Sequence, residues 1–381
     1  MATSTKLRLR GLWLQVHKWI GLTLAVLIIP ISLTGSALVW HDWLDETLNP
    51  GRYAVTSGEP ALAPSAYAEA AGAVLAPDEH IVSIRYPEGE GPLLAAAARP
   101  PQPGEARPVR TNVWLDPADG RVLDTARSDS GAVRVLHVLH GSLMVPGTGR
   151  QIVGWVGIAM CVSCLTGLWL WWPVSGGMKR GFRWRRQNSA NANLHHQMGF
   201  WILLPLAMLS FTGAWISFPQ FFGRFDAVAQ PSRSGAPDRA RAARARPLHQ
   251  TRISEDSALS AARPHATGPL ATITWPTDQS PEWKVAFARE GGPAEIEIAD
   301  STGAVSPPRP PRPETTARTM RRWHDGTGMG PVWQVIIFIG GIVPAALAVT
   351  GIVMWLRSRG WRAKLKRKRR SRLSPVTSAA E

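Results

Sequence analysis

Apolar residues along this chain gather into four long uncharged stretches. Trp19–His41, Gln151–Met178, Gln187–Gly223 and Gly326–Leu356 contain no Asp, Glu, Lys or Arg. Each holds an apolar run near the ~20 residues a helix needs to cross a bilayer. Trp40, Trp43, Trp171, Trp172, Trp215, Trp333 and Trp355 fall near the ends of those runs, where an indole suits the lipid–water boundary. The pattern predicts four transmembrane helices, at 19–43, 151–173, 193–222 and 331–356. The first is expected to be retained, because its apolar run exceeds that of a signal peptide and no small-residue cleavage site follows directly. In the long segments between spans the period changes. Glu295-Ile296-Glu297-Ile298 alternates as a short strand does, and Pro-rich Ser306–Pro313 reads as an extended connector.

Charge then orients the helices. The chain carries +16 over 381 residues, which would suggest nucleic acid if it were spread over a surface. Instead, three short segments hold 19 basic residues against the single acid Glu381: the N-terminal 1–18, the 174–192 connection and the 357–381 tail. They sum to +18 and leave the rest of the chain at −2. All three fall on one side of a four-span topology, the cytoplasmic side by the positive-inside rule. The long segments, 44–135 and 223–318, then face the periplasm. A tail of this charge can meet anionic lipid headgroups. No base-reading motif occurs, so nucleic acid is not an expected partner.

The chain also repeats itself. Helix 1 reads His17-x3-Gly21-x12-Thr34-Gly35, and helix 3 reads His195-x3-Gly199-x12-Thr212-Gly213, an offset of 178. Helix 2 is approached through His140 and reaches Thr166-Gly167 after 26 positions; His324 and Thr350-Gly351 repeat that spacing 184 residues later. In the outer segments Val113-Trp114-Leu115-Asp116, with Gly120 beyond, stands opposite Glu297-Ile298-Ala299-Asp300, with Gly303 beyond. Two halves of two spans each enter the membrane from the same side. Such parallel repeats are related by an axis along the membrane normal, so His17 can face His195 near one surface and His140 can face His324 near the other.

Ionisable residues in or beside a span usually face the interior and serve a function. The alternative for any one histidine is an interfacial imidazole bonded to a carbonyl. Two imidazoles on facing helices suit axial ligation of haem iron. They make a poor zinc site, since zinc takes four ligands and no third one occurs at a useful spacing. Gly21, Gly35, Gly199 and Gly213 clear volume for a flat cofactor, or equally permit close helix packing. His196 and His137 remain substitute ligands for His195 and His140. The outer histidines precede Pro146-Gly147 and Gly326–Pro331 and are expected on short separate segments, at 136–150 and 319–330. Cys161 and Cys164 read as small packing residues within helix 2. No Cys-x-x-Cys-His occurs, so haem would be b-type. No G-x-G-x-x-G occurs and the cytoplasmic segments are short, so electrons would come from a membrane quinol or a separate cytoplasmic reductase. The competing class is a non-redox transporter or sensor whose histidines relay protons or pass a metal.

These motifs resemble the PepSY-associated transmembrane helix family. The stretches that carry the resemblance are Val16-His17-Lys18-Trp19-Ile20-Gly21-Leu22, Leu139-His140-Gly141-Ser142-Leu143, Leu194-His195 with Gly199, His324-Asp325-Gly326, and the Thr-Gly pairs. The resemblance implies an all-α four-helix membrane bundle of two parallel repeats, with two small periplasmic α+β PepSY-like modules. One module would take a helix near Ala66–Leu75 and strands near Ile81–Tyr86 and Val113–Leu115; the other would span roughly 255–305. Within the family the likeness runs to inner-membrane ferric-siderophore reductases of the ferrioxamine type. That implies an oxidoreductase with two b haems, on His17 with His195 and on His140 with His324, and reduction of a periplasmic ferric siderophore. Trp114, Trp275, Trp283, Arg134 and Arg322 are candidate substrate contacts. The tryptophans have the core of the outer modules as their other reading.

Overall fold

The computed structural model describes residues 2–100, 109–173, 177–184, 187, 189–225, 245–248, 250–289, 292–306 and 314–373. In chain order the helices are α1 (Ala2–Leu38), α2 (His41–Leu48), α3 (Pro64–Gly72), α4 (Ala132–Ser142), α5 (Gly149–Trp171), α6 (Ala190–Trp201), α7 (Leu203–Ser217), α8 (Glu255–Ala262), α9 (Thr316–Asp325) and α10 (Gly330–Leu373). The strands are β1 (His80–Arg85), β2 (Leu93–Ala98), β3 (Arg110–Leu115), β4 (Val122–Arg127), β5 (Leu270–Thr274), β6 (Glu282–Phe287) and β7 (Ala294–Ala299). The chain divides into two compact units: a helical one from Met1–Trp40, Leu136–Val228 and Glu314–Glu381, and one from His41–Val135 and Ala229–Pro313.

Among the described residues, three helices are long and apolar enough to cross a membrane: Leu7–Leu38, Gly149–Trp171 and Gly330–Trp361. A fourth crossing exists if the bent pair α6–α7 is one span, and that pair turns through 64° at its break. The bend has a local cause. Pro205 has no N–H to give the Trp201 carbonyl four residues back, and its ring crowds that oxygen. Helix 1 begins well before the expected residue 19 and ends at Leu38, short of 43. Helix 4 likewise runs on past 356 into the basic tail. Lys and Arg are good helix formers, so the charged flanks continue the helices that the apolar runs begin. Arg10 ties α1 to α5, donating to the carbonyls of Trp169, Leu170 and Trp172 at the helix C-terminus.

The outer histidines do sit on short separate helices, α4 and α9. Between α9 and α10 the backbone turns at Gly326, Gly328 and Gly330, whose φ values of 78°, 69° and 79° suit glycine. Between α4 and α5 the same left-handed region is taken by Leu143 and Met144, at roughly 1–2 kcal/mol each.

The second unit is one sheet, to which both outer segments contribute. Its order is β4-β3-β2-β1-β5-β6-β7. Every pairing is antiparallel, and β1 and β5 join the halves through Ser83–Thr274, Ile84–Ile273 and Arg85–Thr272. Each outer segment supplies a helix that packs on the sheet (α3 or α8) and consecutive strands, and at the far edge Val305 bridges to Ile298 where the first half has β4. Joining edge to edge hides two strand edges that separate modules would expose. One shared core results, with Tyr67, Ile84, Leu93, Val113, Leu115, Ile273, Trp283, Val285, Phe287, Ile296 and Ile298 buried. The two buried aspartates occupy matching turns. Asp116 accepts from Thr56 N and Oγ1 and from Ala118 N, and Asp300 from Arg252 N, Ile253 N and Trp283 Nε1. The connector 307–313 lies outside the described residues.

Candidate functional site

The helical unit brings the four repeat-matched histidines together in two pairs. The rings of His17 and His195 have centroids 6.4 Å apart and stand edge to face at 86°. Those of His140 and His324 lie 5.9 Å apart, tilted by 39°. His17 sits at its own level on α1, whereas His140 meets α1 at Ile31, 14 residues on. At 1.5 Å per residue the two levels are about 21 Å apart.

Each ring is held through Nδ1. His17 Nδ1 lies 3.1 Å from the Ser163 carbonyl and 3.0 Å from Thr166 Oγ1. His195 Nδ1 lies 2.8 Å from Thr350 Oγ1. His324 Nδ1 lies 3.0 Å from Thr212 Oγ1. His140 Nδ1 bonds the Ile31 carbonyl at 2.8 Å. For His17 and His140 that carbonyl belongs to the residue three before a repeat threonine. A carbonyl only accepts, and the hydroxyls of Thr350 and Thr212 spend their own hydrogens on backbone carbonyls, so in each ring the proton is on Nδ1 and Nε2 keeps its lone pair. Loss of hydration pushes His324 down to about 4 and lowers His140 as well. Both are neutral at physiological pH, as a metal ligand must be.

The glycine after each threonine makes room for the ring. A Cβ on Gly35 would lie 2.6 Å from His140 Cε1, on Gly213 3.1 Å from His324 Cε1, on Gly167 3.2 Å from His17 Cε1 and on Gly351 3.7 Å from His195 Cε1. Gly21 and Gly199 differ: nothing lies within 4 Å of the position a Cβ would take. Both border a cavity of about 620 Å³ that also takes in His17, His195, Cys164, Leu203 and Pro344, within the ~300–1,000 Å³ of small-molecule sites. Cys161 and Cys164 are both thiols.

The other candidates fall elsewhere. His196 Nε2 donates to the Gly181 carbonyl at 3.1 Å, and the ring stacks on Trp171. His137 is exposed on α4. The proposed substrate tryptophans belong to the sheet core. Trp283 is fully buried and bonded to Asp300. Trp275 packs on Trp283 at 5.1 Å, and Trp114 is buried with the Arg52 guanidinium 4.1 Å above its ring. Trp283 and Trp114 thus take the place of core residues of the sheet unit. Arg134 is exposed, and Arg322 is paired with Glu314 at 2.8 Å.

Two neutral imidazoles with Nε2 unprotonated could both serve as ligands to one metal ion. Among the described residues, no group of three or more His, Cys, Asp or Glu could hold a metal ion. The donor set therefore fits a metal whose remaining ligands come from a cofactor, as in haem.

Fold and site define a helical membrane protein with two internal histidine pairs and an antiparallel sheet unit. The chain belongs to the PepSY-associated TM region family, which it matches over residues 14–358. No curated protein matches it.

Proposed function

We propose that this protein is a di-haem b oxidoreductase of the bacterial inner membrane that reduces a periplasmic ferric siderophore and releases its iron as Fe(II). The observation that carries the reading is the two facing imidazole couples, with ring centroids 6.4 and 5.9 Å apart and each ring fixed through Nδ1. On this reading α1, α5, α6–α7 and α10 form a four-helix bundle with both termini cytoplasmic. His17 and His195 would hold one haem toward the cytoplasm, and His140 and His324 the other toward the periplasm. Haem so bound supplies one-electron transfer at two depths, with potentials set by ligation and burial. The chain's own part is to present neutral nitrogen ligands, keep the apolar cavity dry and hold the two levels about 21 Å apart. Electrons would enter from a membrane quinol or a cytoplasmic reductase drawn to the basic face. The substrate rests on the motif resemblance, since a cofactor scaffold does not fix what is reduced.

The test uses full-length protein purified from haem-replete cells. It should show a low-spin haem b Soret band that shifts with dithionite, and a ferric siderophore should re-oxidise the reduced protein anaerobically. A colourless preparation would reject the redox reading and favour a histidine-lined transporter or sensor. Re-oxidation no faster than in a haem-free control would reject the substrate alone.

A further inference from the structure

We propose that the four Thr-Gly pairs are clips that position the histidines, and that each repeat orients its own two rings before any cofactor joins the repeats. The proposal rests on the haem reading for its consequence but on separate geometry for its content. His17 of α1 is held by Thr166-Gly167 of α5, and His140 before α5 is held at Ile31–Gly35 of α1. In the second half His195 is held by Thr350-Gly351 of α10, and His324 before α10 by Thr212-Gly213 of α7. Every clip lies within one repeat, and every ring pair joins the two repeats.

Each part of the clip has a distinct task. At His17 and His140 the carbonyl three residues before the repeat threonine takes the Nδ1 proton, and at His195 and His324 the threonine oxygen does. The threonine hydroxyl itself bonds back to its own helix, Thr166 to Ser163 O at 3.0 Å, Thr350 to Leu347 O at 3.0 Å, and Thr212 to Met208 O at 2.8 Å. Its oxygen can then share the Nδ1–H of the ring. Thr34 bonds back as Thr212 does, to Pro30 O at 2.6 Å and Ile31 O at 3.1 Å, but His140 rests on the Ile31 carbonyl and Gly35 instead of on its hydroxyl. The glycine admits the Cε1 edge, most tightly at Gly35 and least at Gly351. Such outer partners of a metal-bound imidazole are worth about 10–100-fold in metal affinity.

The experiment is a series of alanine variants at Gly35, Gly213, Gly167 and Gly351, with Thr212→Val and Thr350→Val, in the full-length chain. Haem per chain and the ¹⁵N shifts of histidine in haem-stripped protein are measured. Haem loss should follow the order Gly35→Ala, Gly213→Ala, Gly167→Ala, Gly351→Ala, each loss confined to one level, so the retained haem reports an intact fold. The threonine variants should weaken haem about 10-fold and shift the redox midpoint of one component only. In the stripped wild type all four rings should carry the proton on Nδ1. Loss from Gly351→Ala equal to that from Gly35→Ala, or threonine variants with wild-type affinity and midpoint, would overturn the clips. If the wild type never binds haem, the functional reading falls and the ¹⁵N shifts still decide: Nδ1–H in all four rings sustains the clips, and Nε2–H rejects them.

Discussion

Replacing His324 with alanine tests whether the two levels are independent sites. The His140 ring meets α1 about 21 Å from the level of His17, and effects at sites more than ~7–10 Å apart with no shared partner add. The two pairs share no clip residue. His324→Ala would remove one of the two residues proposed to hold the outer haem, a larger loss than the ~10–100-fold that a missing outer partner costs, so the outer site should empty on purification. Haem per chain should fall from two to one. His17→Ala should do the same, and the double variant should be colourless. The assay is haem extracted per chain, combined with a potentiometric titration of the reduced-minus-oxidised spectrum. Each single variant should delete a different redox component and leave the other at its wild-type midpoint. Loss of both haems or neither in His324→Ala, or removal of the same component by His17→Ala, would refute the two-level scheme.

Two predictions concern stability. A Cβ on Gly341 would overlap the Ser36 hydroxyl and stand 2.7 Å from the Ser32 carbonyl, where Ser36 already donates to Phe338 O; Gly341→Leu should therefore wedge α1 from α10 and cost ~1–3 kcal/mol. An unchanged thermal melt in detergent would reject that contact. Burial works to raise the Asp116 carboxyl, but bonds from Ala118 and Thr56, with the Arg121 charge, bring it below the usual carboxylate range. Its folded value lies below its unfolded one, so its stabilisation is complete above about pH 4 and is lost as pH falls through the folded value. Acid unfolding followed by tryptophan fluorescence should be steeper in the wild type than in Asp116→Asn, and equal slopes would sink the assignment.

Much of the fold was written in hydrophobic runs and repeats, and its misses have local causes. The Glu295–Ile298 alternation announced β7, and the matched Asp116 and Asp300 turns came from internal comparison alone. β2 did not announce itself. Leu93–Ala98 is nearly all alanine, a poor strand former, and it is buried on both faces, so it shows no alternation. The bend at Trp201 was signalled by Pro205, but hydropathy averages over a single proline. The joining of two modules into one sheet was invisible, because Ser83–Arg85 and Thr272–Thr274 pair through backbone groups that any sequence carries.

The candidate site divides along a similar line. Histidine spacing gave the membership of both pairs, since symmetry relates residues at equal depth whatever surrounds them. The same spacing showed Thr-Gly as a recurring mark at helix ends and assigned Gly21, Gly35, Gly199 and Gly213 one common role. The structure splits them: Gly21 and Gly199 border open volume, while Gly35 and Gly213 lie against imidazole. Nothing in one helix says which, because the deciding contact comes from a different helix more than 100 residues away. A repeat reports that two positions are equivalent and is silent about their partner. Once one ring is seen on one clip, equivalence supplies the matching clip in the other half. Thr166-Gly167 with His17 therefore implied Thr350-Gly351 with His195, and the 2.8 Å contact is there. At Thr34 and its counterpart Thr212 the hydroxyl bonds the carbonyl four residues back alike, but Thr212 also meets the His324 ring, whereas His140 rests on the Ile31 carbonyl.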